Sequence, residues 1–217
     1  MNKIFKLKII TLIILILQSS ITFAAVSGFV DSKQVTQRRP MGVAFNLDGT
    51  KMFVVGTVEN KIFEFDLTTG FDVSTATKNS NVCNFLGQAS DVVDIEFNSD
   101  GTKLFLVDQD QGDDDEHAVD EFSLSTAYDV STCTHVEEHY TDDFKLVGIE
   151  FNPGGTKLFI YDMTGTDSIK QYSLNSPYNI SNLTLQKQST GTSVKNFSTI
   201  ESQPMGFTFS SDGSKMF

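Results

Sequence analysis

Past its first 25 residues the chain has no long apolar run, so no second segment offers the roughly 20 apolar residues that a membrane-spanning helix needs. It is also short of positive charge. Sixteen Lys and Arg stand against 28 Asp and Glu, a formal net charge of −12, which argues against nucleic acid or an anionic membrane surface as partner. There is no Gly-x-Ser-x-Gly elbow, no phosphate loop and no Cys-x-x-Cys pair, so the commonest hydrolase, nucleotide and redox signatures are missing. The three histidines, His117, His135 and His139, lie close together in sequence. On a strand His135 and His139 share a face about 13 Å apart, too far for two ligands of one ion, and all three read as surface or loop residues. Alanine is sparse and no helical period is sustained, while Phe, Val, Ile and Thr abound, which is the composition of an all-β domain.

What is present begins with an export signal. Lys3, Lys6 and Lys8 precede the apolar run Ile9 to Leu17, and Thr22-Phe23-Ala24-Ala25 follows, the basic, apolar and small-residue order of a secretory signal peptide. Residues 1–24 are expected to be removed, leaving a secreted or periplasmic chain with no membrane insertion; retention as an anchor is the alternative. Cleavage leaves 13 basic and 28 acidic residues, a net charge of −15. Such a surface attracts cations or simply keeps the chain in solution. Export permits Cys83 and Cys133 to pair, but they do not occupy matching repeat positions, so a bridge and two separately buried thiols both stay open.

One phrase occurs four times: Phe45 to Phe53, Phe97 to Phe105, Phe151 to Phe159 and Phe209 to Phe217, its leading Phe spaced by 52, 54 and 58 residues. A second phrase follows the first three: Phe65-Asp66-Leu67 with Phe71-Asp72-Val73-Ser74, Phe122-Ser123-Leu124 with Tyr128-Asp129-Val130-Ser131, and Tyr172-Ser173-Leu174 with Tyr178-Asn179-Ile180-Ser181. Asp48-Gly49 and its counterparts make hairpin turns between alternating apolar residues. The paired aromatic and Leu lie on one face of a third strand, and the Asp-Val-Ser or Asn-Ile-Ser stretch turns the chain. A fourth strand fits afterwards, as at Thr77 to Phe85.

Four antiparallel strands per unit of this length form a propeller blade. The expected strands are A (Met41 to Asn46), B (Lys51 to Gly56), C (Lys61 to Leu67) and D (Thr77 to Phe85), with blades starting near residues 40, 92, 146 and 204. The last copy stops early, giving an incomplete propeller of about 3.5 blades, and residues 25–39 are a candidate ring-closing strand.

The pattern Pro-x-Gly-x-x-Phe-x-x-Asp-Gly-x-Lys-x-Phe-Val, complete in Pro40 to Val54, resembles the bacterial YVTN and lactonase-type seven-bladed propeller repeats over about residues 40–217. It is not the tryptophan-aspartate type, since the chain has no Trp. The resemblance implies a blade, and implies that the central channel of the lactonase type holds a divalent metal among acidic and amide residues.

Two places carry candidate ligands. The A to B and C to D turns share one side of the disc and are regular; the B to C and D to A connections, on the other side, carry the length variation, which marks that side as the expected recognition face. Its most unusual loop, residues 108–117, holds Asp108, Asp110, Asp113, Asp114, Asp115 and Glu116. Calcium suits such oxygen donors, although the spacing is not that of an EF-hand, and a solvated acidic loop is the other reading. On strand A, Glu96 and Glu150 share a position where the other copies have Ala44 and Thr208; with Asp94 they form a candidate partial carboxylate ring facing the channel, either metal-binding or merely solvated.

No catalytic residue is named by these patterns. The leading expectation is a non-enzymatic binding or structural module of the cell envelope, with an unidentified protein or glycan as partner. The alternative is a lactonase-like or other metal-assisted hydrolase working in the channel.

Overall fold

The computed structural model describes residues 30–109, 117–141, 145–163, 168–181, 183–185, 195–196 and 206–217. Three antiparallel sheets follow one another, each in simple up-and-down order. The first holds β1 (Pro40–Phe45), β2 (Lys51–Gly56), β3 (Lys61–Leu67) and β4 (Ala76–Asn84); the second β5 (Val92–Phe97), β6 (Lys103–Asp108), β7 (His117–Leu124) and β8 (Cys133–Thr141). The third holds β9 (Leu146–Phe151), β10 (Lys157–Asp162), β11 (Ser168–Ser173) and β12 (Thr184–Leu185), with β13 (Lys195–Asn196) also on β11. A fourth copy begins with Phe209 bridged to Met216. The chain is therefore an all-β partial propeller, and strands B and C of the first blade have the bounds expected from sequence. Among the described residues no helix is long and apolar enough to cross a membrane.

The second strand of each blade is nearly all apolar because it is buried on both faces. Phe53 and Val55 of β2 pack with Leu104 and Leu106 of β6, and Phe105 and Val107 of β6 pack with Leu158 and Ile160 of β10. The alternation of a single strand thus feeds two seams between blades.

The two repeated phrases lock together. Gly49, Gly101 and Gly155 sit at φ of 71°, 71° and 63° in the A to B turns. Phe71, Tyr128 and Tyr178 also take positive φ, and their N–H groups donate to those glycines' carbonyls at 3.0, 2.9 and 2.8 Å. Each aromatic ring then lies where a glycine Cβ would be, the nearest ring atom 2.2 Å from that point at Gly101. Asp72 and Asp129 complete the second turn by accepting the Ser74 and Ser131 N–H groups, as their sequence suggested.

Cys83 on β4 and Cys133 at the start of β8 are joined as a disulfide, with Cα atoms 5.8 Å apart. The mismatch in repeat position that left their pairing open is explained by the seam: the bond runs between the outer strands of two adjacent blades. Of the expected ring-closing segment, residues 25–29 lie outside the described residues. Residues 30–39 form no strand. They are fastened by side chains instead, Val35 on the Met52 and Val54 cluster and the Gln37 amide on the backbone of Val54 and Gly56 at 3.3 and 3.0 Å. The proposed signal segment 1–24 is likewise outside the described residues.

Candidate active site on the innermost strands

The first strand of every blade is an edge strand, and its free N–H groups need partners. The chain supplies them from the preceding blade. Asp94 accepts the Ile149 N–H at 2.9 Å, and both oxygens of Glu96 lie 3.0 Å from the Phe151 N–H. Glu150 continues the series, accepting the Phe209 N–H and the Thr208 hydroxyl, the latter at 3.3 Å. In the first blade the equivalent positions are Gly42 and Ala44. A Cβ on Gly42 would stand 3.1 Å from the Ile95 nitrogen, the group that Ile95 instead directs to its own neighbour Asp94 at 2.9 Å.

This geometry corrects the expected channel-facing ring. Asp94 and Glu96 are paired across the ladder with Val107 and Phe105, so they share the sheet face that meets the third blade. Strand side chains stand on the faces of a sheet, and in a propeller those faces meet neighbouring blades. A register shift repeated at Met41, Val93 and Val147 precedes these positions in all three inner strands.

Burial dominates the electrostatics. It lifts Asp94 to about 6, against the hydrogen bonds from Ile149 and Ile95 that favour its charge. Glu96 is raised well above the usual carboxylate range by burial and then by the nearby charge of Glu150. Glu150 is half-buried and also raised by burial. Glu96 and Glu150 lie in the wall of a cleft of about 600 Å³ that opens at the A to B turn end and is flanked by Tyr128, Tyr178, Asn98 and Asn152. Carboxylate oxygens of this kind suit a hard cation. Yet among the described residues no group of three or more His, Cys, Asp or Glu side chains is placed to hold a metal ion, and the Asp94 and Glu96 oxygens are already engaged by backbone N–H groups. The described residues do not make a metal cage.

The acidic loop is divided. Asp110, Asp113, Asp114, Asp115 and Glu116 lie outside the described residues. Asp108 ends β6, buried, and accepts the Ser90 N–H at 2.8 Å. It borders a smaller hollow of about 210 Å³ with Asn60 and Gln88 at the opposite end of the blades from the carboxylate cleft.

The histidines differ from expectation. His117 is buried on β7 rather than exposed. His135 and His139 fall on opposite faces of β8, because a bulge at Val136 breaks the alternation: His135 pairs with Phe122, and Glu137, already on the other face, pairs with Glu121. His135 lies 2.9 Å from Asp120, whose carboxyl is raised to about 8 by burial and by Glu138. Sequence reading also missed the buried acids of strand C. Glu64 is fully buried, pairs with Lys51, and receives Asn79 at 2.9 Å and the Val130 N–H of the next blade at 3.2 Å; Glu121 is bonded to Lys103 at 2.6 Å. Alignment of the copies places Glu64, Glu121 and Gln171 just before the strand C aromatic, and that register was the available signal.

No known family profile matches the chain, and no curated protein matches it. Among solved structures, a provisionally named 6-phosphogluconolactonase from Bacteroides uniformis is similar at a TM-score of 0.52 and 18% identity, over 82% of this chain and 46% of its own. A second, from Bacteroides fragilis, is similar at 0.50 and 17%, over 87% of this chain and 50% of its own. The chain thus spans about half the length of these structures, and its fold is that of the lactonase-type β-propeller. These two structures bear lactonase names, which tells against the expectation of a non-enzymatic binding or structural module.

Proposed function

We propose that this chain forms part of an exported lactonase-like hydrolase whose site is the cleft at the turn end of the innermost strands. The observation that carries this reading is Glu150, half-buried in the cleft wall beside Glu96, with its carboxyl raised by burial above the usual carboxylate range, the direction a general base needs. In ring opening, water adds to the lactone carbonyl as Glu150 takes its proton. The acyl–oxygen bond then breaks, and the ring oxygen leaves with a proton returned by the same carboxyl, giving the hydroxy acid. Export is supported by the basic and apolar start of the sequence and by the Cys83–Cys133 bond, since disulfides persist in oxidising compartments.

The test is lactone hydrolysis followed by titrating the released acid at constant pH. A general base contributes on the order of 10²- to 10⁴-fold, so Glu150→Gln should lower kcat by at least about 100-fold. A purified chain that leaves lactones hydrolysing at the buffer rate, or a variant as fast as the parent, would overturn the reading.

A further inference from the structure

The lysine that opens the second strand of each blade is held in two blades and released in the third. Lys51 pairs with Glu64, and Lys103 pairs with Glu121 at 2.6 Å while its Nζ also donates to the Tyr178 carbonyl at 2.8 Å. Both glutamates are buried, and in the ladder they stand opposite Phe53 and Phe105 of the second strands. The third blade keeps the lysine, Lys157, and the aromatic, Phe159, but the residue opposite Phe159 is Gln171. An amide offers no charge to an ammonium. Lys157 accordingly forms no ion pair among the described residues and is exposed, whereas the paired Lys51 and Lys103 side chains are each only 29% exposed.

The released lysine lies in the wall of the carboxylate cleft. Two residues before Phe159, it shares the sheet face on which Phe159 stands opposite Glu150. Lys157 and Glu150 are thus diagonal neighbours, about 7–8 Å apart at the backbone, a separation that one small ligand can bridge. The other carboxyl groups of the wall are engaged by their own surroundings, Glu96 by the Phe151 N–H and Asp212 by the Ser210 and Ser214 hydroxyls at 2.6 and 2.8 Å. Lactone opening needs a hydrogen-bond donor as well as a base. When water adds, the carbonyl electron pair moves onto oxygen, and a fixed cationic donor stabilises that oxyanion until the pair returns and the ring C–O bond breaks. Resting on the hydrolase reading above, we infer that Lys157 is a catalytic residue whose ammonium donates to the lactone carbonyl oxygen, and that Gln171 leaves it free to do so.

Kinetics on glucono-δ-lactone test this. Lys157→Met should lower kcat by at least about 100-fold with KM little changed, the pattern of a contact made in the transition state, and Lys157→Arg should restore part of the loss. Gln171→Glu rebuilds the ion pair of the first two blades without touching Lys157, and should lower kcat about 10-fold, the effect of a tenfold excess of the paired form. A Lys157→Met chain as fast as the parent, or impaired only in KM, would overturn the inference, as would Gln171→Glu at the parental rate. If the parent hydrolyses no lactone, the hydrolase reading fails, and calorimetric titration with gluconate, whose carboxylate takes the place of the oxyanion, tests Lys157 by itself. Binding that Lys157→Met and Gln171→Glu both weaken sustains the anion contact. No binding, or binding that neither variant alters, overturns it.

Discussion

Both carboxylate oxygens of Glu96 lie 3.0 Å from the backbone N–H of Phe151, which stands 55 residues further along the chain and one blade onward. A side chain of one blade thereby closes the open edge of the next. Glutamine in place of Glu96 keeps an acceptor and removes a group whose ionised form burial opposes, so Glu96→Gln should leave the urea midpoint unchanged or higher. Alanine leaves the Phe151 N–H unpaired, at a cost of about 1–3 kcal/mol. A midpoint that falls equally for both variants would show that the clamp is not what holds this seam.

The same seam sets the pH dependence. Asp94 is held at about 6, above its ordinary 3.8. Between those values the folded chain retains a proton that the unfolded chain has released, so stability is greatest below that interval and falls as pH rises through it. Asp120, at about 8, extends the fall past neutrality, and Glu96, also raised by burial, acts in the same sense. Asp48, Asp100 and Asp212 are shifted downward and act in the opposite sense, weakening the fold only in stronger acid. Urea midpoints at pH 5 and pH 8 should therefore rank in favour of pH 5, and Asp94→Asn should flatten the difference. A midpoint that climbs from pH 5 to pH 8 would contradict the assignment.

Two glycines separate backbone strain from collision. Gly87 has φ of 86° with nothing within 4 Å of an added Cβ, whereas at Gly101, φ 71°, the Tyr128 ring lies 2.2 Å from that point. Gly87→Ala should cost about 1 kcal/mol, the usual penalty for a positive φ. Gly101→Ala adds the displacement of a packed ring and should cost at least about 2 kcal/mol more, the range of overpacking. Thermal denaturation of the two variants measures the difference.

Reduction of Cys83–Cys133 removes a crosslink between two outer strands separated by 50 residues in sequence. Stability should drop by about 2–4 kcal/mol. Melting the chain with and without reductant, alongside the Cys83→Ala, Cys133→Ala double variant, checks this; a variant that is insensitive to reductant and as stable as the oxidised parent would refute it.

The hairpins were legible because their signals are local: Asp48-Gly49 fixes a turn, and alternation from Lys51 to Gly56 fixes a strand. Positions that depend on a neighbouring blade were not. Asp94 and Glu96 looked like channel residues until the register with Phe105 and Val107 turned them toward the third blade. The bulge at Val136, which parts His135 from His139, leaves no mark in composition because any residue can occupy it. The disulfide depended on the spacing of outer strands in different repeats, which no single repeat encodes. The carboxylates of the cleft were visible as a recurrent strand A position; their contact with backbone N–H groups was not.

The contact of Tyr128 and Tyr178 with the glycines of the preceding hairpin has a practical consequence for engineering. Each blade is stitched along one hem, where two turns are fixed to each other, so a graft placed there would have to reproduce both. The opposite hem carries the connections whose lengths differ from copy to copy. At the short junction between β2 and β3, residues 57–60, a grafted loop would need to keep only Glu59, which accepts the Arg38 N–H, and the Asn60 carbonyl, which accepts the Phe85 N–H.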